Sequence, residues 1–366
     1  MGPKVSLQSL APYLLVLGLL TSVRLPPASG QNQGPTPLPA PVLPPATDYD
    51  RGLAAFRRGD YAAAARLFAK AEAASPGSTD ALLYQAKVLI HLPDFAGAEK
   101  ALRSYVAIHP DSDDALYLLG FVLHRQNRPR ESLEIYTKAA ALKPPVGDDL
   151  KIVGLDYVLL NDYSDAVKWL GKAVQFDPKN EDAWYYLGRA YYSEGRLPDA
   201  QKAFQAALGL DSRNVIAENN LGLVFESEGK PNDAIEAYRS AIAWQQAGAP
   251  SSESEQPFVN LGSLLMEQQR TEQAIAPLEK AVILAPNSSL CHLKLGKAYL
   301  RSRRFAEAQR ELEKATQLEP GDPAAHYQLG QLYKETHAMD RAKAEFDRSE
   351  QLRERAAGQG VQTPQH

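Results

Sequence analysis

The chain has 366 residues, of which 44% are hydrophobic and 23% charged, a mix that excludes an intrinsically disordered chain and allows a packed core. The net charge of −4 offers no basic surface for phosphate neutralisation, which argues against nucleic acid as a partner. A single cysteine, Cys291, excludes an intrachain disulfide and is expected to pack as a small apolar residue.

At the N-terminus Lys4 precedes an apolar run from Leu10 to Leu20, broken by little except Pro12. The run is short for a bilayer span and suits a signal-peptide core. Small residues follow at Ala28-Ser29-Gly30. Residues 1–30 are therefore expected to be a signal peptide, cut after Gly30 or elsewhere between Ser22 and Gly30, and the protein to be exported to a periplasm or secreted. The alternative is an uncleaved membrane anchor made by the same run. Residues 31–46 form a proline-rich linker, extended and poorly able to pack.

From residue 47 to residue 248 one helical-hairpin pattern returns six times, at steps of about 34 residues. Its clearest copy begins Ala183-Trp184-Tyr185-Tyr186-Leu187-Gly188. Related pairs are Leu119-Gly120 and Leu221-Gly222, with weaker forms at Arg51-Gly52, Gln85-Ala86 and Val153-Gly154. Trp184, Leu187, Gly188 and Tyr191 make one stripe along a helix. Ala200, Phe204 and Ala207 make a similar stripe on the next. Gly195 lies between them, where a turn needs permissive backbone angles. Small residues such as Gly188 and Ala200 are expected to let helices approach closely. The stretch Asp177-Pro178-Lys179-Asn180-Glu181-Asp182 reads as a stop, a turn and an acidic restart.

Residues 249–254 read as an inserted loop of glycine, proline and serine type, either a tolerated surface insertion or a joint that alters curvature. The pattern resumes over 255–356 with three more units, marked by Leu261-Gly262, Leu295-Gly296 and Leu329-Gly330. The ninth is rich in charge, as a terminal cap requires. Residues 357–366 are expected to be a disordered tail.

These nine in-phase copies resemble the tetratricopeptide-repeat family over nearly all of the chain outside its ends. The resemblance implies an all-α, right-handed superhelical solenoid of stacked antiparallel helix pairs. It also implies that the first helix of each unit lines a concave surface. Positions matched to that surface are Lys87 in unit two, then Tyr117, Phe121 and His124 in unit three, with Arg125 beside His124. Unit four contributes Lys151, unit five Tyr185, Arg189 and Tyr192, and unit six Asn219. Aromatic rings supply contact area and basic groups pair with carboxylates. The lysine and asparagine set by which some family members clamp a terminal carboxylate is not reproduced here.

No Walker-type glycine loop, zinc-binding His-Glu-x-x-His, Cys-x-x-Cys pair or nucleophile elbow occurs. His292 and His326 share one slot in successive units, a spacing that makes a weak candidate for metal. No catalytic residue, metal site or cofactor is therefore expected. The function implied is a non-enzymatic scaffold or adaptor that holds a peptide or partner helix in its groove. A fixed subunit of a cell-envelope secretion or biogenesis assembly is the alternative. A glycan- or cell-wall-acting enzyme ranks below both.

Overall fold

The computed structural model describes residues 47–75, 79–248 and 253–359 of the chain. The expected signal segment and proline-rich linker lie outside the described residues, as do residues 249–252 of the insertion and 360–366 of the expected tail. Among the described residues there are eighteen helices and no strand. They form nine consecutive hairpins.

Unit one pairs α1 (Asp48–Arg57) with α2 (Tyr61–Ala74), and unit two α3 (Thr79–His91) with α4 (Phe95–Ile108). Units three and four pair α5 (Asp113–Arg125) with α6 (Pro129–Leu142) and α7 (Asp148–Leu159) with α8 (Tyr163–Phe176). Units five and six pair α9 (Glu181–Ser193) with α10 (Leu197–Leu210) and α11 (Val215–Ser227) with α12 (Pro231–Gln246). The last three units are α13 (Gln256–Glu267) with α14 (Thr271–Leu284), α15 (Ser289–Arg301) with α16 (Phe305–Leu318), and α17 (Pro323–Glu335) with α18 (Met339–Gln359). Helix α18 runs past the expected end of the array at 356, because Arg355, Ala356 and Ala357 all favour helix.

Side chains written into the turns set the helix starts. The Asn180 side-chain oxygen accepts from the Ala183 amide at 3.0 Å and caps α9. Ser112, Asn214, Ser288 and Asp322 cap α5, α11, α15 and α17 in the same way. Each cap satisfies an amide that has no acceptor inside its helix, worth about 1 kcal/mol. The stretch read as stop, turn and restart behaves so: α8 ends at Phe176 and α9 begins at Glu181.

Inside each hairpin the turn passes through a left-handed residue. Gly195 sits there at φ 74°. Asn127 and Asn161 hold the slot at φ 59°, and Gln269, Arg303 and His337 at 59°, 57° and 61°. A side chain in that region costs roughly 1–2 kcal/mol, and units three, four and seven to nine keep the turn geometry without glycine despite that cost.

Packing within a hairpin depends on one missing side chain. A Cβ added at Gly188 would lie 2.8 Å from Cδ1 of the buried Phe204 ring. Gly52 meets Phe68, Gly120 meets Tyr136, Gly154 meets Leu170, Gly262 meets Leu278 and Gly330 meets Phe346 in the same way. Unit two departs, with Ala86 in the slot and Leu102 as the large residue, both buried. Ser132, the one polar member of the small-residue series on the second helices, donates its hydroxyl to the Gly120 carbonyl at 2.9 Å.

Between units, each second helix packs on the first helix of the next unit. From α1 to α11 and from α13 to α17, successive first helices also touch one another, so they share one face of the stack. Across the insertion, Asn260 Nδ2 of α13 donates to Asn219 Oδ1 of α11 at 2.9 Å, and Gln245 Nε2 donates to the Ser254 carbonyl at 3.1 Å.

Substituting Gly188→Val is expected to lower stability by roughly 1–3 kcal/mol through overpacking against Phe204. Gly209→Ala on α10, where an added Cβ meets nothing within 4 Å, is expected to be neutral or slightly stabilising. Urea unfolding followed by circular dichroism checks both; equal effects would remove the close-approach argument.

Candidate functional site

The first-helix face of units two to five presents rings and cations, and most of the cations rest on rings rather than on carboxylates. Lys87 Nζ lies 5.4 Å from the Tyr84 ring centroid. The Arg125 guanidinium lies 4.7 Å from the Phe95 ring and 5.8 Å from that of Phe121. Arg189 lies 5.9 Å from the Tyr185 ring and 5.8 Å from the Tyr186 ring. Such contacts hold a cation in place without neutralising it. Tyr192 is partly exposed and its hydroxyl shares a hydrogen bond with Ser227 Oγ at 3.0 Å. Burial raises the Tyr185 hydroxyl above its ordinary value and pushes that of Tyr186 up to about 12.

Besides Tyr192 and Tyr185, whose hydroxyl accepts from Asn220 Nδ2 at 3.4 Å, four of the residues expected on this face are engaged within the protein. His124 Nδ1 stands 2.7 Å from Oδ1 of the fully buried Asp156, and only 12% of the His124 side chain is exposed. Lys151 sits between Asp148 at 3.1 Å and Asp182 at 3.6 Å. Tyr117 donates its hydroxyl to the Lys143 carbonyl. Asn219 is buried and serves the α11–α13 contact. The cause is common to all four: a partner from the next unit, or from the turn leading to it, arrives within bonding distance when the units stack. The face that remains for an incoming chain is made by Lys87, Phe121, Arg125 and Arg189 and by the rings, not the hydroxyls, of Tyr185 and Tyr192.

A second feature of the same face lies outside the expected positions. Between units seven and eight a cavity of about 50 Å³ is lined by Ser263, Met266 and Glu267 of α13 and by Lys294, Lys297 and Arg301 of α15. The three cations are spaced three, four and seven along α15, which puts them on one stripe. Arg301 is anchored by a hydrogen bond from Nη1 to the Met266 carbonyl at 3.0 Å. Burial, and then the neighbouring Arg301 and Lys294, hold the Lys297 ammonium below the ordinary lysine value. The spacing is legible in the sequence, but the reach of α13 toward it is not.

The ring nitrogens of His292 and His326 each have partners other than one another. His292 Nδ1 meets Glu311 at 2.7 Å and its Nε2 the Pro286 carbonyl at 3.0 Å. His326 repeats this with Glu345 at 2.6 Å and the Pro320 carbonyl at 3.2 Å. Cys291 is buried, and burial pushes its thiol up, as expected of a packing residue.

Tetratricopeptide-repeat models match residues 49–113, 94–146 and 190–252, a second such model 265–317 and 299–359, and a TPR-repeat model 154–195. Together they cover well over half of the chain, which belongs to the tetratricopeptide-repeat family. Proteins of this family generally mediate protein–protein interactions, and the fold is typically a non-enzymatic scaffold.

In fold the chain is similar to a chain of the APC/C hetero-tetramer Cut9–Hcn1, with 20% identity and a TM-score of 0.50 over 78% of this chain and 56% of that one. It is similar also to a tetratricopeptide-repeat protein from Parabacteroides merdae, with 18% identity and a TM-score of 0.54 over 70% and 98% of the two chains. A third likeness is to the C-terminal part of a TPR repeat-containing protein from Cytophaga hutchinsonii, with 19% identity and a TM-score of 0.52 over 68% and 100%. At these identities the likeness concerns the fold. This chain thus spans little more than half of the Cut9–Hcn1 chain it matches. No curated protein matches it in sequence.

The junction between units three and four carries a titratable group out of its ordinary range. Desolvation in the first turn of α7 raises the Asp149 carboxyl to about 6, with Asp148 and Asp114 adding to it. The folded state therefore holds a proton there that the unfolded chain releases near its ordinary carboxylate value. Stability contributed by this group falls as pH rises from about 4 to about 6. Asp149→Asn is expected to raise the melting temperature at pH 7 and to flatten its pH dependence across that window. Thermal unfolding at a series of pH values checks this, and a variant that melts lower than the parent at pH 7 would contradict it.

Proposed function

We propose that this protein is a scaffold whose first-helix face, in units two to five, holds an extended peptide or a partner helix bearing aromatic or acidic groups. The observation that carries the reading is the placement of Lys87, Arg125 and Arg189 over rings, with no carboxylate of the described residues paired to them. Cations held this way keep their charge for an incoming carboxylate, and the adjoining rings offer area with little side-chain entropy to lose. Family membership supports a protein partner and a non-enzymatic role.

A photo-crosslinking residue placed at Phe121 or Tyr192 in the native cell is expected to capture a protein partner that one placed at the exposed Lys138 of α6 does not. The triple substitution Lys87→Glu, Arg125→Glu, Arg189→Glu is expected to weaken recovery of that partner at least tenfold. Crosslinks from Lys138 alone, or unchanged recovery with the triple variant, would remove this face from consideration.

Export is part of the same proposal, supported by the apolar run of residues 10–20 and the small residues that follow it. N-terminal sequencing of the chain from its native cell is expected to read from Gln31 or a few residues before it. A start at Met1 or Gly2 would favour a retained anchor or an unprocessed chain.

A further inference from the structure

The notch between units seven and eight is a concentration of positive charge on a protein that is acidic overall. Lys294 and Lys297 have no salt bridge or ring contact among the described residues, and Arg301 is tied only to a backbone carbonyl. Glu267 is the one carboxylate lining the cavity. Glu226, whose charge reaches Lys294, is committed to the Tyr238 hydroxyl at 2.8 Å. Three cations thus face at most two carboxylates, one of them already bonded. Leaving like charges this close is unfavourable unless something negative joins them. The cavity, at about 50 Å³, exceeds the roughly 10–15 Å³ that one water needs and admits a carboxylate. Met266 and Leu278 supply apolar wall beside the charges.

We propose that this notch is a docking point for an internal acidic segment of a protein partner, with a glutamate or aspartate side chain seated among Lys294, Lys297 and Arg301. The proposal rests on the reading of the first-helix face as a docking surface, and adds a second anchor beyond units two to five. The two lysines supply mobile charge. Arg301, held by the Met266 carbonyl, supplies a fixed donor that sets the depth of the carboxylate. All three cations lie on one stripe of α15, so a single carboxylate meets them together.

The test uses the full chain and a short fluorescein-labelled peptide with a glutamate run flanked by leucines, its C-terminus amidated. Its control is the same peptide with glutamine for glutamate. Fluorescence anisotropy is expected to show at least tenfold tighter binding of the glutamate peptide, weakening as salt is raised. The paired substitution Lys294→Gln, Lys297→Gln is expected to reduce that preference at least fivefold. Substitution Lys138→Gln at the exposed position on α6, outside both anchors, is expected to leave it in place. Equal affinity for the two peptides, or a preference left unchanged by the Lys294 and Lys297 substitutions, overturns the proposal. Tighter binding of a single-stranded oligonucleotide than of the glutamate peptide at this notch also overturns it. Crosslinks at Phe121 or Tyr192 persisting alongside either result would leave the scaffold reading intact and remove the notch alone.

Discussion

The stack depends on the close approach of two helices inside each unit, made by a residue with no side chain on one and a large apolar residue on the other. Gly188 against Phe204 is the clearest case. The contact draws the hairpin tight and leaves the outer edge of the second helix free to meet the next unit. Because each unit is built the same way, the face made by the first helices carries whatever residues the core does not need. Function in such a protein is written in those positions, and the pairing of glycine with ring is what makes them available.

That separation explains which parts were legible in the sequence. The hairpins, their caps and their turns follow from spacing and from local chemistry. Asn180 and Ser112 announce helix starts, and Gly195 marks a turn that needs a left-handed residue. The insertion near 249 shows as a change of phase. Positions on the first-helix face could be listed from the resemblance, but their state could not. His124 and Asp156 belong to different units, and nothing local says that the second will present a buried carboxylate to the first. Lys151 is likewise claimed by Asp182 from the following unit. These partners are separated by about one period, so their pairing appears only when the units stack.

The same long-range effect works in the opposite direction at units seven and eight. In the sequence Lys294, Lys297 and Arg301 are three cations spaced three and four apart, which places them on one helix stripe and says nothing of what packs beside it. Stacking places Met266 and Glu267 beside that stripe and turns it into the wall of a cavity. Lys297 loses water there, beside the two cations of its own helix, Lys294 and Arg301. The like charges belong to α15 itself; the loss of water comes with the packing around it.

The two anchors differ in how their charge is held, and this bears on what each can discriminate. In units two to five the cations lie over rings, so a partner meets charge and apolar area together at Arg125 and Arg189. A ring on the partner can compete for the same surface, which broadens what is accepted. In units seven and eight the charge is gathered and the apolar wall is small. There an uncharged group gains little and leaves three cations uncompensated, so the site rejects by charge. The insertion and the Asn219–Asn260 hydrogen bond lie between the two anchors. A segment long enough to reach both would be held by two linked sets of contacts, neither of which alone would need to be strong.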